Sequence, residues 1–210
     1  MAVTLGLAPL ARAVPLVVVV QGVSGRPVPD AVISLRATDG SQRPVTAVKV
    51  IIDQVNRAFD PDLTIIPVGS TVEFPNSDSV SHQIYSFSSA KRFQLPLYRG
   101  KPYPPVKFDQ PGVVTLGCNI HDSMLAYVVV VDTPFAGKTD AQGKWTTEVP
   151  AGTYRVSVWH PRLHEGSQPD TRTTVEDELP EGRAALLNIK LTKPLRPAPL
   201  QGSAHSWDAY

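Results

Sequence analysis

The stretch Gly117-Cys118-Asn119-Ile120-His121-Asp122-Ser123-Met124 decides how this chain is read. It lies between two runs, Val113–Leu116 and Leu125–Val131, that are short, valine-rich and bounded by turn residues, as buried strands are. The stretch is therefore a short loop joining neighbouring strands. Its C-x2-H-x2-M spacing sets a thiol, an imidazole and a thioether on one tight turn. Soft sulfur donors suit Cu(I) and imidazole suits both oxidation states of copper, so copper has use for this set. Zinc competes for Cys and His, but structural zinc sites prefer more of those and lack Met. A copper–thiolate centre needs one further His from elsewhere in the fold. Of the five histidines, only His82 and His121 sit in the body of this region. His82 follows the polar turn Phe74-Pro75-Asn76-Ser77-Asp78-Ser79-Val80-Ser81 and opens the strand Gln83–Phe87. Taken singly, a lone Cys in a sandwich is usually a small core residue, and Met124 reads as core filler. Their joint spacing with an upstream His turns the balance to metal.

The rest of the chain agrees with a β-rich frame. Prolines number 21 in 210 residues, about twice the usual ~5%, and they leave little room for long helices. Hydrophobic residues at 42% suffice for a core, and 19% charged residues argue against disorder. Val14–Val20, Thr71–Phe74 and Tyr154–Trp159 read as further strands, the last alternating with period two. One helical turn fits around Gln54–Phe59. Many short strands between Pro and Gly turns make the chain all-β, a sandwich rather than α/β. The net charge of +1 is too balanced for a general nucleic-acid or membrane-surface binder. The single cysteine, Cys118, excludes an internal disulfide framework. In an exported chain a lone thiol is protected from oxidation if it holds a metal.

Export is expected from residues 1–13, where an apolar stretch, Val3 to Leu10, precedes Ala11-Arg12-Ala13, an A-x-A cleavage pattern. This reads as a signal-peptide remnant whose basic region is missing. No segment carries about 20 apolar residues in a row, so the chain is not expected to be integral to a membrane. The run Gly22 to Leu35, with Gly25-Arg26-Pro27-Val28-Pro29-Asp30, resembles the opening hairpin of transthyretin-like, carboxypeptidase-regulatory-type modules. Thr139-Asp140-Ala141 with Gly143-Lys144-Trp145, then Pro150-Ala151-Gly152-Thr153-Tyr154, resembles that module's closing half. The resemblance implies a small sandwich, 14–42 plus 134–193, with another domain inserted. The alternative is that 14–42 supplies the first strands of the central domain. Residues 194–210, rich in Pro, Ala, Gly and Ser, read as a flexible tail.

With the four candidate ligands in order, residues 45–133 resemble a cupredoxin, with the short ligand loop of the amicyanin and pseudoazurin type. The whole chain is similar to exported plastocyanin-like proteins often labelled methylamine-utilisation proteins. It departs from their pattern at Gln83, where many cupredoxins have Asn, and at Asp122, where amicyanin-type loops have Pro. The resemblance implies a Greek-key β-sandwich holding one type 1 copper ion. His82, Cys118 and His121 would form the trigonal plane and Met124 the weak axial ligand. It implies a periplasmic or otherwise exported one-electron carrier, monomeric and not an enzyme, that exchanges electrons with a redox partner protein. Copper storage or delivery without redox turnover is the second reading, weakened by the presence of only two Met residues. A surface interaction module is the third. No His-x-His pair exists to build a second copper centre.

Two other features call for a reading. His160 and His164 flank Pro161, which favours a turn and a structural or surface role over a second metal site. From Tyr85 to Phe108, Lys91, Arg92, Arg99, Lys101 and Lys107 alternate with aromatic residues, and no acidic residue stands between Asp78 and Asp109. Such a segment is either a partly buried connection with core aromatics or a basic docking face for an acidic redox partner. Export excludes nucleic acid as its ligand.

Overall fold

The computed structural model describes residues 13–41, 43–100, 103–163 and 173–197. The expected signal peptide up to Arg12, Lys101, His164, and the tail from residue 198 onward lie outside the described residues. The described chain runs through β1 (Ala13–Gln21), β2 (Val32–Ala37), β3 (Lys49–Ile51), β4 (Asp53–Val55), β5 (Ala58–Asp60) and β6 (Leu63–Pro67). It continues through β7 (Thr71–Glu73), β8 (His82–Ser88), β9 (Lys91–Tyr98), β10 (Val106–Lys107), β11 (Gly112–Gly117) and β12 (Leu125–Val131). Then come β13 (Ala136–Lys138), β14 (Lys144–Pro150), β15 (Gly152–Trp159), β16 (Thr173–Leu179) and β17 (Ala185–Lys190). The described residues form no helix, and the protein is all-β. No helix among them is long and apolar enough to cross a membrane.

A five-stranded sheet, β6-β12-β11-β8-β9, and a three-stranded sheet, β10-β7-β3, enclose one core that includes Phe74, Phe108, Ile84 and Leu116. The sheets β14-β1-β17 and β13-β2-β15-β16 enclose a second core that includes Leu16, Val18, Ile33 and Val156. Strands from both ends of the chain build that second sandwich, while the middle of the chain builds the first. Leu195 packs against the second core, and the Arg196 amide donates to the Arg162 carbonyl at 2.9 Å.

Two valine runs that look alike in sequence are used differently. In β1 the side chains of Val14, Leu16, Val18 and Val20 are buried and their neighbours face outward, so one face is covered. In β12 both faces are covered. Val128 and Val130 enter the first core, whereas Val129 and Val131 join Val113, Leu63, Val32 and Trp159 between the two sandwiches. There Tyr127 meets Trp159 edge to face, with centroids 5.3 Å apart, a favoured aromatic geometry.

The helical turn expected around Gln54–Phe59 is a β-hairpin instead. β4 and β5 pair antiparallel, with Gln54 opposite Phe59. Asn56 and Arg57 both take positive φ, 53° and 58°, which is the left-handed pair of a type I′ turn. Asn tolerates that conformation, so one unlikely-looking arginine is enough to complete the turn. The basic, aromatic segment is mostly the β8–β9 hairpin. Phe93 stacks on Phe74 at 5.9 Å and meets Phe108 edge-on at 6.2 Å. Tyr98 is buried and its hydroxyl donates to the Phe74 carbonyl at 2.5 Å. These rings are core. Phe87, 73% exposed, is not.

His160 is buried in the second sandwich, where its Nδ1 accepts the Arg162 amide at 3.0 Å. Burial, then the Arg162 charge, pushes its pKa down to about 4. The unfolded chain protonates this group near 6.5, so between those values the unfolded state binds the extra proton. The stability His160 contributes is complete above about pH 6.5 and is lost as pH falls toward 4, on the order of 3 kcal/mol. Urea unfolding of metal-free protein at pH 7 and pH 4 should show this loss in wild type and a smaller one in His160→Gln. Equal losses in both would assign the acid sensitivity to other groups.

Candidate metal centre

β11 and β12 are hydrogen-bonded neighbours, and the loop between them turns within seven residues. At its entrance Gly117 lies under the ring of Tyr85, where an added Cβ would stand 2.8 Å from the ring. Only glycine lets the ring sit there. The next residue, Cys118, turns into the first core and is 3% exposed. His121 sits at the loop's mouth, partly exposed, and its carbonyl accepts the Met124 amide at 3.0 Å, which closes the turn. Met124 then returns to the same core as Cys118. Both sulfur side chains are therefore core residues, as their single-residue readings held, and they also flank His121.

His82 comes from the adjacent strand. β8 pairs with β11 through Tyr85 and Gly117, and with β9 through His82 opposite Tyr98. The register shifts between His82 and Ile84, and the His82 ring is fully buried. Its Nδ1 lies 3.1 Å from Nδ1 of His121 and 3.9 Å from Sγ of Cys118. One donor atom from each of the three residues falls within 4.8 Å of the others. A single ion about 2.0 Å from each nitrogen and about 2.3 Å from sulfur would hold such donors roughly 3.3–3.8 Å apart. The two spacings from His82 lie close to that range and all three donors fall within 4.8 Å, so they can converge on one small ion.

Several polar contacts hold this arrangement. Nε2 of His82 lies 3.0 Å from Oδ2 of Asp78. The bond to His82, then the Arg57 amide, holds the Asp78 carboxyl down at about 2. At His121, burial lowers the pKa, reinforced by His82 and Arg57 and opposed by Asp78. The neutral ring with a free lone pair is favoured, as ligation requires. The two ligand-bearing segments are tied directly, because Nδ2 of Asn119 donates to Oε1 of Gln83 at 2.9 Å. The residue that departs from the family pattern after His82 thus makes a cross-loop bond of its own.

Sequence reasoning selected His82, Cys118, His121 and Met124, and passed over Asp78. Its signal was an acidic residue four positions before His82, in a turn where such residues are common for local reasons. His160 directly follows β15 of the second sandwich and is not part of this cluster.

No protein-family model and no curated protein matches the chain. Solved structures similar to it include cupredoxins and a copper enzyme. A purple cupredoxin from Nitrosopumilus maritimus is 27% identical, over 39% of this chain and 99% of that one, with a TM-score of 0.35. A copper-containing nitrite reductase from Thermus scotoductus is 25% identical, over 46% of this chain and 25% of that one, at 0.38. An amicyanin is 19% identical, over 46% of this chain and 98% of that one, at 0.36.

Proposed function

We propose that this chain is a type 1 copper protein that carries single electrons between partner proteins. The observation that carries this reading is the cluster itself: one fully buried imidazole, one imidazole at the surface and one buried thiol within 4.8 Å. His82, Cys118 and His121 would hold the ion in a plane, with Met124 as a weak axial donor. Copper held there supplies one-electron redox chemistry.

The chain's own part is rigidity and access. His82 begins β8, Cys118 directly follows the hydrogen-bonded β11, and Asn119 clasps Gln83 between the two ligand segments. Neither donor can move far when the charge of the site changes, which keeps the reorganisation barrier to electron transfer low. His121 opens to the surface between Ile120 and Leu125, 50% and 44% exposed, and is the natural port for the electron.

A docking face adjoins this port. Cross-strand pairing puts Tyr85, Gly117, Leu125, Thr115 and Tyr127 on one face of the five-stranded sheet. The end of that face at Tyr127 and Val129 meets Trp159 of the second sandwich. On the opposite side of that face, formed by β8 and β9, Phe87, its cross-strand neighbour Arg92 and Gln94 stay exposed, with the Tyr85 and Phe87 rings 5.1 Å apart. Lys91, Arg92 and Arg99 give this hairpin a positive charge with no acid between Asp78 and Asp109, which fits an acidic redox partner. On this reading residues 14–42 and 134–193 form a transthyretin-like module carrying the copper domain as an insertion, and the protein works in the periplasm or outside the cell.

Adding Cu(II) to purified protein should produce an intense thiolate-to-copper charge-transfer band and a blue colour. Cys118→Ser should abolish that band while far-UV circular dichroism stays unchanged. A colourless protein that binds Zn(II) tightly and gives no Cu(II) spectrum would sink the proposal.

Met124→Gln replaces a soft donor with a harder oxygen and should lower the reduction potential, because Cu(I) loses more than Cu(II). Voltammetry reading an unchanged or raised potential would remove Met124 from the ligand set.

Electron exchange with an acidic cytochrome should slow steeply as salt shortens the screening length toward ~8 Å at physiological ionic strength. Lys91→Glu combined with Arg92→Glu should slow it at low salt. A rate indifferent to both would leave these charges as ordinary surface.

A further inference from the structure

We infer that Asp78 is the positioning residue of the metal centre: its carboxylate selects the His82 tautomer that bares Nδ1, and its charge lowers the reduction potential. The first half concerns the protein without metal, and the second rests on the copper reading.

Only an unprotonated ring nitrogen can hold a metal, and the hydrogen bond made by the other nitrogen decides which one that is. Water cannot decide it at His82, whose ring is fully buried. An ionised carboxylate has no proton to give, so at 3.0 Å the bond must run from Nε2–H of His82 to Oδ2 of Asp78. Nδ1 is then left as a bare lone pair facing Cys118 and His121. The opposite tautomer would set a lone pair against an anion and drive a proton into the space between the three donors.

Asp78 is itself held before any metal arrives. Oδ2 also accepts the Arg57 amide at 2.7 Å, and Oδ1 accepts the Ser79 amide at 2.8 Å. The Asp78 amide donates to Oδ1 of Asn76 at 3.0 Å, and Nδ2 of Asn76 donates to the carbonyls of Val80 at 3.0 Å and Tyr98 at 2.9 Å. The Arg57 amide reaches the carboxylate from the tip of the β4–β5 hairpin, where Arg57 takes positive φ. That hairpin thus helps brace Asp78. A neutral acceptor in the same place would select the same tautomer. A full negative charge does more, because it makes the imidazole a stronger donor and favours the more highly charged Cu(II) over Cu(I).

The experiment combines two readouts on wild type, Asp78→Asn, Asp78→Ala and Asp78→Glu. In metal-free, 15N-labelled protein at neutral pH, the His82 ring of wild type should show the proton on Nε2, and Asp78→Ala should lose that preference. A wild-type ring protonated on Nδ1, or a tautomer unchanged in Asp78→Ala, overturns the inference whatever metal the site takes. In the copper-loaded proteins, Asp78→Asn keeps an acceptor but removes the charge. The preference for Cu(II) over Cu(I) should fall about tenfold, which is a potential raised by about 59 mV for one electron. Asp78→Glu, which restores the charge, should return the potential toward wild type. A potential in Asp78→Asn equal to or below wild type overturns the inference. If wild type gives no thiolate band, the copper reading fails by itself, and the tautomer measurement still decides the role of Asp78.

Discussion

The metal centre depends on one constraint: Cys118 leaves a strand that is hydrogen-bonded to the strand His82 begins. The pairing of Tyr85 with Gly117 fixes how far apart the two side chains can be. It is tight because Gly117 carries no Cβ under the Tyr85 ring. The remaining parts follow from that junction. The loop must return to β12 in seven residues, so His121 falls opposite His82, and Met124 re-enters the core beside Cys118. A backbone made this way sets donor positions by sheet geometry, and the polar contacts of Asp78, Asn76 and Gln83 trim them.

The second sandwich is joined to the first through the same sheet. β12 carries core valines on one face and interface valines on the other, so the strand that closes the ligand loop also carries the contact with Trp159. The side of the sheet face that carries Phe87 and Arg92 is uncovered.

Much of this was legible in the residues. The loop 117–124 lies between strands at almost the expected limits, with Leu125–Val131 unchanged and Val113–Leu116 extended by one residue at each end. His82 opens its strand and meets His121, because Cys, His and Met at fixed spacing leave few geometries for a fourth donor. The misses have physical reasons. Asn56-Arg57 reads as helix-compatible because nothing in an arginine announces a left-handed backbone. β9 carries Pro96 and two consecutive cations, so it reads as a connection, although Phe93, Leu95 and Tyr98 point it into the core. β1 and β12 have nearly the same valine run, and only the fold decides which is covered on both faces. Asp78 and Asn119 act through partners 4 and 36 positions away, and single-residue propensity carries no trace of the second kind of pairing.

The central claim is that Cys118, His82 and His121 together hold one copper ion in both oxidation states. X-ray absorption at the copper edge tests this most directly, on protein loaded with Cu(II) and again after reduction. The account predicts one short copper–sulfur contact and two imidazole nitrogens in each state, with little change between them. A copper shell of nitrogen and oxygen alone, with no sulfur contact in the oxidised protein, would contradict it.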